Sequence, residues 1–384
     1  SGIYLYYSSS RIGYNYISSC NKWGMEIISS NGTIIEGNTI VNNTNGGICI
    51  DDSDSALRDN YVAENLGHGI AIYDSSSNVT NNTIFNNSKC GLYLSKLYNS
   101  VILNNTILNN SQSGIYIYNS ENVTIEQNTV ANCSQKGIAI LDSSNITIRW
   151  NIITSNDDYG IYVYRSGGTT ATHNKVLENT QDGIYMYYSD NVNITNNYID
   201  DNAKCGIYIW DSNYTIVKNN TITSSGDSGV CVRASYYCGI LSNIIANNSR
   251  YGVYLDTSYY CEISDNIIIG SGFYGIWLVS SDDNIIAKNN ISENAEYGIL
   301  LSGSNYNNIT LNLVYDNRHT GIRLASSANN RIARNIIHGS PYYGIELDSS
   351  TNNYVGLNNI TTCFVGAINV VTSDLNIIRD NIIL

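Results

Sequence analysis

The chain has one proline in 384 residues, Pro341, and only 13% of its residues are charged. Two methionines, four histidines and three phenylalanines complete the scarcities. Each removes a class of answer. Without proline there is no polyproline linker. With a net charge of −13 and no run of Lys or Arg, a nucleic-acid backbone has no site to bind. No apolar stretch approaches the roughly 18 residues of a membrane span. His68, His173, His319 and His338, with Met25 and Met186, form no cluster for a transition metal. There is no initiator Met and no signal peptide, and Ser1-Gly2-Ile3 is already in phase with a repeat that runs along the chain. That suggests a processed chain or a segment of a longer one.

What is present argues against disorder: 42% of residues are hydrophobic, and there are 33 Tyr and 31 Gly. An Asn recurs at a step of 22 or 23 residues. It stands at Asn15, Asn38, Asn60, Asn82, Asn105, Asn128, Asn151, Asn174 and Asn197, and continues through Asn220, Asn243, Asn266, Asn289, Asn312, Asn335, Asn358 and Asn381. The residue two further on is always Ile or Val. A Gly-apolar-x-apolar unit opens each repeat, from Gly2 and Gly24 through Gly114, Gly137 and Gly160 to Gly344, with Ala367 in the last place. That makes 17 units of 22 or 23 residues with no linker between them, and the sequence predicts one domain over 1–384.

Each unit reads as three short strands. The first alternates in and out, with Ile161 and Val163 in and Tyr162 and Tyr164 out. The second carries an inward residue three before the ladder Asn, such as Ile125, Ile148 or Ile263. The third holds the Ile or Val two after it. Such a coil cannot bury its apolar side alone, but stacked copies in parallel register about 4.8 Å apart can. In a stack, each Asn amide can donate to one neighbour and accept from the other, which Asp could not do without repelling itself. A second ladder lies five residues later, at Asn43, Asn65, Asn87, Asn110, Asn156, Asn179, Asn202, Asn248, Asn294 and Asn317, with Cys or Ser elsewhere.

The pattern GIxh-(x)-SxxNxIxxNxI resembles the right-handed parallel β-helix repeat proteins. Within them it is similar to the carbohydrate-associated and NosD-like surface proteins of archaeal methanogens. The resemblance implies an all-β, single-stranded right-handed parallel β-helix. That fold also resembles pectate lyases, polygalacturonases and uronan epimerases. Gly67-His68-Gly69 and Asp51-Asp52 match two pieces of a polygalacturonase-like site, and the remaining pieces are missing. His68 and Asp51 are expected on different edges of the coil. Uniform coils leave no inserted loop to wall a cleft, so the chain is expected not to be an enzyme. The pairs Asp157-Asp158, Asp200-Asp201 and Asp282-Asp283 read as solvated turn residues. The acidic balance permits a Ca²⁺ ion at one of them, nothing supports one, and no cofactor is called for.

Nine cysteines leave at least one outside an internal pair. Cys238 and Cys261 occupy the same place in successive coils and are the candidate disulfide. Reduced thiols are the alternative. Cys49 and Cys231 on the outward strand face, and Cys90 and Cys205 just before a coil Gly, are candidates for bonds between molecules. An aromatic face runs through Tyr116, Tyr118, Tyr162, Tyr164, Tyr185, Tyr187, Tyr208, Trp210, Tyr254 and Trp277. It reads as an interface, a glycan-binding surface or a stabilising stack. Candidate N-glycosylation sites are Asn78, Asn81, Asn104, Asn122, Asn145, Asn219, Asn247, Asn290 and Asn308, the first Asn of each Asn-Asn-Thr pointing outward.

Neither end carries a polar cap, so end-to-end stacking of copies is expected. The leading expectation is an exported, non-enzymatic structural protein of a cell envelope, of sheath or surface-layer type. It would self-assemble through stacked ends and Tyr-rich contacts. The alternative is a carbohydrate-binding surface adhesin that takes cell-wall glycans. A polysaccharide lyase or glycoside hydrolase ranks below both.

Overall fold

A computed structural model describes residues 1–384. The chain winds as a right-handed, all-β parallel solenoid of about 17 coils, three strands to a coil and no helix. Its contacts divide it into two compact units, Ser1–Asn193 and Ile194–Leu384.

In the first unit, each repeat contributes one strand to each of three parallel sheets. The coil opened by Gly114 has strands Ile115–Tyr118, Thr124–Glu126 and Thr129–Ala131. Its first strand pairs in register with Ile138–Leu141, and that strand with Ile161–Tyr164. Inward positions stack like on like. Ile125 lies on Ile148, both fully buried, and each such burial is worth about 1.5–3 kcal/mol. The second unit repeats the arrangement, with Ile240, Ile263, Ile286, Ile309 and Ile332 as one inward column.

Corners turn on residues in the left-handed backbone region. Around the Gly91 coil these are Lys96, Asn99, Asn104 and Asn109, at φ 55, 49, 55 and 56°. Asn tolerates that region better than most side chains, which explains the outward Asn before many ladder positions.

The main ladder is saturated. Asn105 donates its backbone N–H and its Nδ2 to Asn128 Oδ1, at 2.8 and 2.9 Å. The same Nδ2 reaches Val79 O at 2.9 Å, and Asn105 Oδ1 accepts from Asn82. Asn151 continues the series by donating to Asn174 Oδ1 at 3.0 Å. In the second unit Asn197 Nδ2 donates to Asn220 Oδ1 at 3.0 Å, and Asn220 to Asn243 at 3.1 Å. Asn243 bonds Asn266 and Val217 O in the same way, and Asn266 bonds Asn289 at 2.9 Å. The amides of Asn289, Asn312 and Asn335 each donate at 3.0 Å to the next rung, and Asn358 donates to Asn381 at 2.9 Å. The predicted ladder residues thus form one hydrogen-bonded series within each unit. A buried Asp would lose every Nδ2 bond.

The coil glycine has a packing cause. A Cβ on Gly137 would lie 2.5 Å from Ile153 Cγ2, 2.7 Å from Gly160 O and 2.9 Å from Asn156 Nδ2. The first strand begins where the chain presses against the second ladder, and no side chain fits there. Where Ser replaces Asn in that ladder the satisfaction fails: Asn248 Nδ2 and Ser271 Oγ are buried without partners.

A further ladder, absent from the sequence reading, is built from serine. Six residues after the coil glycine a Ser stands in all coils but one, where Leu97 takes its place. Along this ladder a Ser Oγ accepts from the backbone N–H of the preceding coil, as Ser143 does from Ser120 and Ser258 from Ser235. Its signal is a plain 23-residue recurrence, hidden among turn residues of similar polarity.

Candidate functional site

In the second unit the outward side of the first sheet is built from columns set by distance from the coil glycine. Two residues after it come Tyr208, Cys231, Tyr254, Trp277, Leu300, Arg323 and Glu346, in register from coil to coil. Just before the glycines stand Tyr251, Tyr274 and Tyr297. Cys231 is a small side chain between the rings of Tyr208 and Tyr254, and it opens a gap in the column. The result is a cleft of about 290 Å³ lined by Tyr208, Tyr251, Tyr254, Trp277, Asp227, Arg250 and the Cys205–Cys231 disulfide.

Ring geometry separates this cleft from the remaining aromatics. In the first unit Tyr93 and Tyr116 stack at 5.3 Å and 6°, and Tyr162 and Tyr185 at 5.6 Å and 2°. Rings stacked in this way cover one another's faces and show their edges, which stabilises the sheet. Tyr164 and Tyr187 pack at 5.6 Å, tilted by 31°. Tyr118 is exposed and its register partner is Leu141, so that position does not continue a stack. Trp277 is held otherwise. Tyr251 and Tyr274 meet it edgewise at 61° and 77°, and its Nε1–H donates to Ser302 Oγ at 3.1 Å. Tyr254 lies 4.9 Å away at 32°.

Every arginine of this surface has a carboxylate. Arg250 Nη1 is 3.4 Å from Asp227, and Arg233 Nε is 3.3 Å from Asp256. Arg233 also lies over Trp210, and its hydrogen bond to Tyr208, followed by the charge of Asp256, holds its pKa up. Arg323 donates to Tyr297 Oη at 2.6 Å and to Asp348 at 2.9 Å, with Glu346 3.6 Å from its Nε. Burial, then Asp256, pushes the Tyr254 phenol up to about 12, and burial with Glu296 does the same for Tyr274. Burial pulls His319 down.

The cysteine expectations need correction. The disulfide joins Cys205 and Cys231, Cα atoms 6.5 Å apart, and Cys238 and Cys261 are thiols. The latter two occupy the same corner position, so their Cβ atoms point the same way, and Cys261 N–H donates to Asn284 Oδ1 at the start of a further Asn ladder. A hydrogen bond with Cys238 lowers the Cys261 pKa. Cys205 and Cys231 approach diagonally between coils, a path that pairing like positions passes over. None of the four expected intermolecular cysteines is open to a second molecule. Cys49, Cys90, Cys205 and Cys231 are all buried, and burial pushes the Cys49 and Cys90 thiols up to about 12.

Of the sequons, Asn78, Asn81, Asn104, Asn122, Asn145, Asn219 and Asn247 are exposed, and Asn290 and Asn308 are half-buried with Oδ1 enclosed. His68 and Asp51 are separated along the sheet, as their register partners Gly46 and Tyr73 show. His68 packs on Tyr93, and burial holds it at about 4. The acidic pairs are tied locally: Asp158 to Lys136 at 2.7 Å, Asp200 to Thr223 at 2.6 Å, Asp282 to the Asn305 N–H at 2.6 Å. No three His, Cys, Asp or Glu side chains form a group that could hold a metal ion, and no helix is long and apolar enough to cross a membrane.

No curated protein matches the chain. Among solved structures it is similar to the Dettilon tailspike protein gp208, with 17% identity over 65% of this chain and a TM-score of 0.48. The match spans 62% of that tailspike's own length. It is similar to the Siphovirus 9NA tailspike receptor binding domain, at 9% identity over 88% of this chain and 73% of that one, with a TM-score of 0.50. It is also similar to the A-module of the Azotobacter vinelandii mannuronan C-5 epimerase AlgE4, at 15% identity over 98% and 91%, with a TM-score of 0.41. At these identities the likeness is one of fold. It overturns the expectation that the chain is not an enzyme, because that expectation rested on the fold's uniform coils and epimerases are enzymes of this fold. The family model for the right handed beta helix region matches residues 1–153, 137–291 and 283–384, and the chain belongs to that family.

Proposed function

We propose that the chain is a polysaccharide-binding β-helix that works outside the cytoplasm, on a cell surface or in the extracellular space. The observation that carries this reading is the cleft around Trp277. It offers apolar ring surface beside Tyr hydroxyls, a carboxylate and a guanidinium, the combination that holds a sugar ring by its C–H face and its hydroxyls together. Gel electrophoresis of the protein through soluble polysaccharides tests it. Retardation by at least one polysaccharide, lost on Trp277→Ala, is expected. Unchanged mobility in all of them overturns the reading. The same polysaccharides incubated with the protein show by chain length and product whether binding leads on to cleavage or epimerisation.

A second reading, assembly of copies into an envelope layer, draws support from a different surface. Tyr214, Tyr237 and Tyr260 stack at 5.2 and 5.1 Å along one corner of the second unit, with about half of each residue exposed. Tyr is enriched where proteins meet. Assembly would not use Cys49, Cys90, Cys205 or Cys231, all of them buried. Light scattering that finds only monomer at high concentration ends this reading. The exposed sequons would carry glycans in a host that glycosylates exported proteins.

A further inference from the structure

Resting on the polysaccharide-binding reading, the charge and ring geometry of the cleft point to a narrower ligand. We propose that it takes an uncharged polysaccharide, with one pyranose ring stacked on Trp277.

The first ground is electrostatic. A polyuronate or sulfated chain needs cations free to meet its anions. The arginines of this surface are not free: Arg250 holds Asp227, Arg233 holds Asp256, and Arg323 holds Asp348. Glu296 adds further negative charge beside Tyr251 and Tyr274. An anionic ligand would meet a carboxylate beside each guanidinium, and the chain as a whole, at −13, repels it at long range. A hydroxyl ligand needs no such exchange. The ion-paired carboxylates keep lone pairs for sugar O–H groups, and Tyr hydroxyls both donate and accept.

The second ground is steric. A sugar ring stacks on an aromatic face, not on its edge. In-register Tyr pairs close their own faces. Trp277 keeps part of its ring surface in the cleft because only one of its partners in register is a ring, Tyr254 at 4.9 Å and 32°, while the other is Leu300, and because Tyr251 and Tyr274 cross it at 61° and 77°. The hydrogen bond from Nε1 to Ser302 fixes the indole, so little rotamer freedom is lost on binding. The Cys231 gap beside Tyr254 supplies room for the next ring along the glycan.

The test is affinity electrophoresis through neutral glucans, mannans, galactans and xylans, beside polyuronates and sulfated polysaccharides, at low and high salt. Binding to at least one neutral polymer, insensitive to salt and weakened about tenfold by Trp277→Ala, supports the proposal. Trp277→Phe should recover part of it, and Trp150→Ala, on an exposed turn of the first unit, should leave it unchanged. Circular dichroism confirms that each variant is folded. Binding confined to polyanions and suppressed by salt overturns the uncharged ligand while leaving polysaccharide binding intact. Neutral binding that survives Trp277→Ala in a folded variant overturns the stacking site. No binding to any polymer overturns the underlying reading itself.

Discussion

Cys205 and Cys231 are 26 residues apart, not 23, and their bond crosses diagonally from just before one coil glycine, Gly206, to the outward strand that follows the next, Gly229. It closes a loop slightly longer than one coil and forms part of the cleft lining. A loop of this length corresponds to about 3 kcal/mol in the chain-entropy account. Cys205→Ser with Cys231→Ser should lower the melting temperature by several degrees, and reductant should do the same to the wild type only. The denatured, unreduced protein should show seven reactive thiols. A count of nine reactive thiols would contradict the assignment.

The main ladder predicts an asymmetric pH response. Asn151→Asp replaces a buried donor, which serves Asn174 and Ile125 O, with a group that can only accept when ionised. The cost should exceed about 1–3 kcal/mol at neutral pH. Burial raises a carboxyl pKa, so the folded variant is favoured when protonated. Its deficit relative to wild type should shrink as pH falls. Chemical denaturation at neutral and acidic pH measures this, and a deficit independent of pH would count against it.

His68 gives the wild type its own acid sensitivity. Burial first, with help from Lys89, holds the folded imidazole at about 4, below the ordinary value of 6.5. The depressed group binds protons more readily in the unfolded chain. Its contribution is therefore complete above pH 6.5 and is lost as pH falls from there toward 4. His68→Gln should flatten the stability profile across that window. An NMR titration of the ring with a midpoint near 6.5 would show the burial argument to be wrong.

Two glycines separate packing from backbone strain. Gly137→Ala places a Cβ against Ile153, Gly160 O and Asn156, and should cost about 1–3 kcal/mol or more. Gly303, at φ 58°, has nothing within 4 Å of an added Cβ. Gly303→Ala should cost only the left-handed penalty, about 1 kcal/mol. Equal losses in thermal melts would mean that the coil glycine is kept for conformation rather than space.

The solenoid was legible because its causes repeat. The 23-residue step from Asn82 to Asn381, the Ile or Val two places on, and the glycine at each coil start determine three sheets, their register and the buried Asn ladder. Each coil faces a near copy of itself, so one local pattern dictates its own tertiary partner. The Ser ladder was equally present in the sequence but was masked by turn residues of similar polarity. What repetition cannot specify, the tertiary structure decided. Cys238 and Cys261 share a register and point the same way, whereas Cys205 meets Cys231 across a diagonal that no in-register comparison reveals. Tyr162 and Trp277 hold the same coil position, yet Tyr162 lies parallel to Tyr185 at 2°, while Trp277 is tilted by 32° to Tyr254 and crossed by Tyr251 and Tyr274 at 61° and 77°. The coil that follows supplies a ring, Tyr185, in one case and Leu300 in the other, so the neighbouring layer and not the coil position sets how each ring packs.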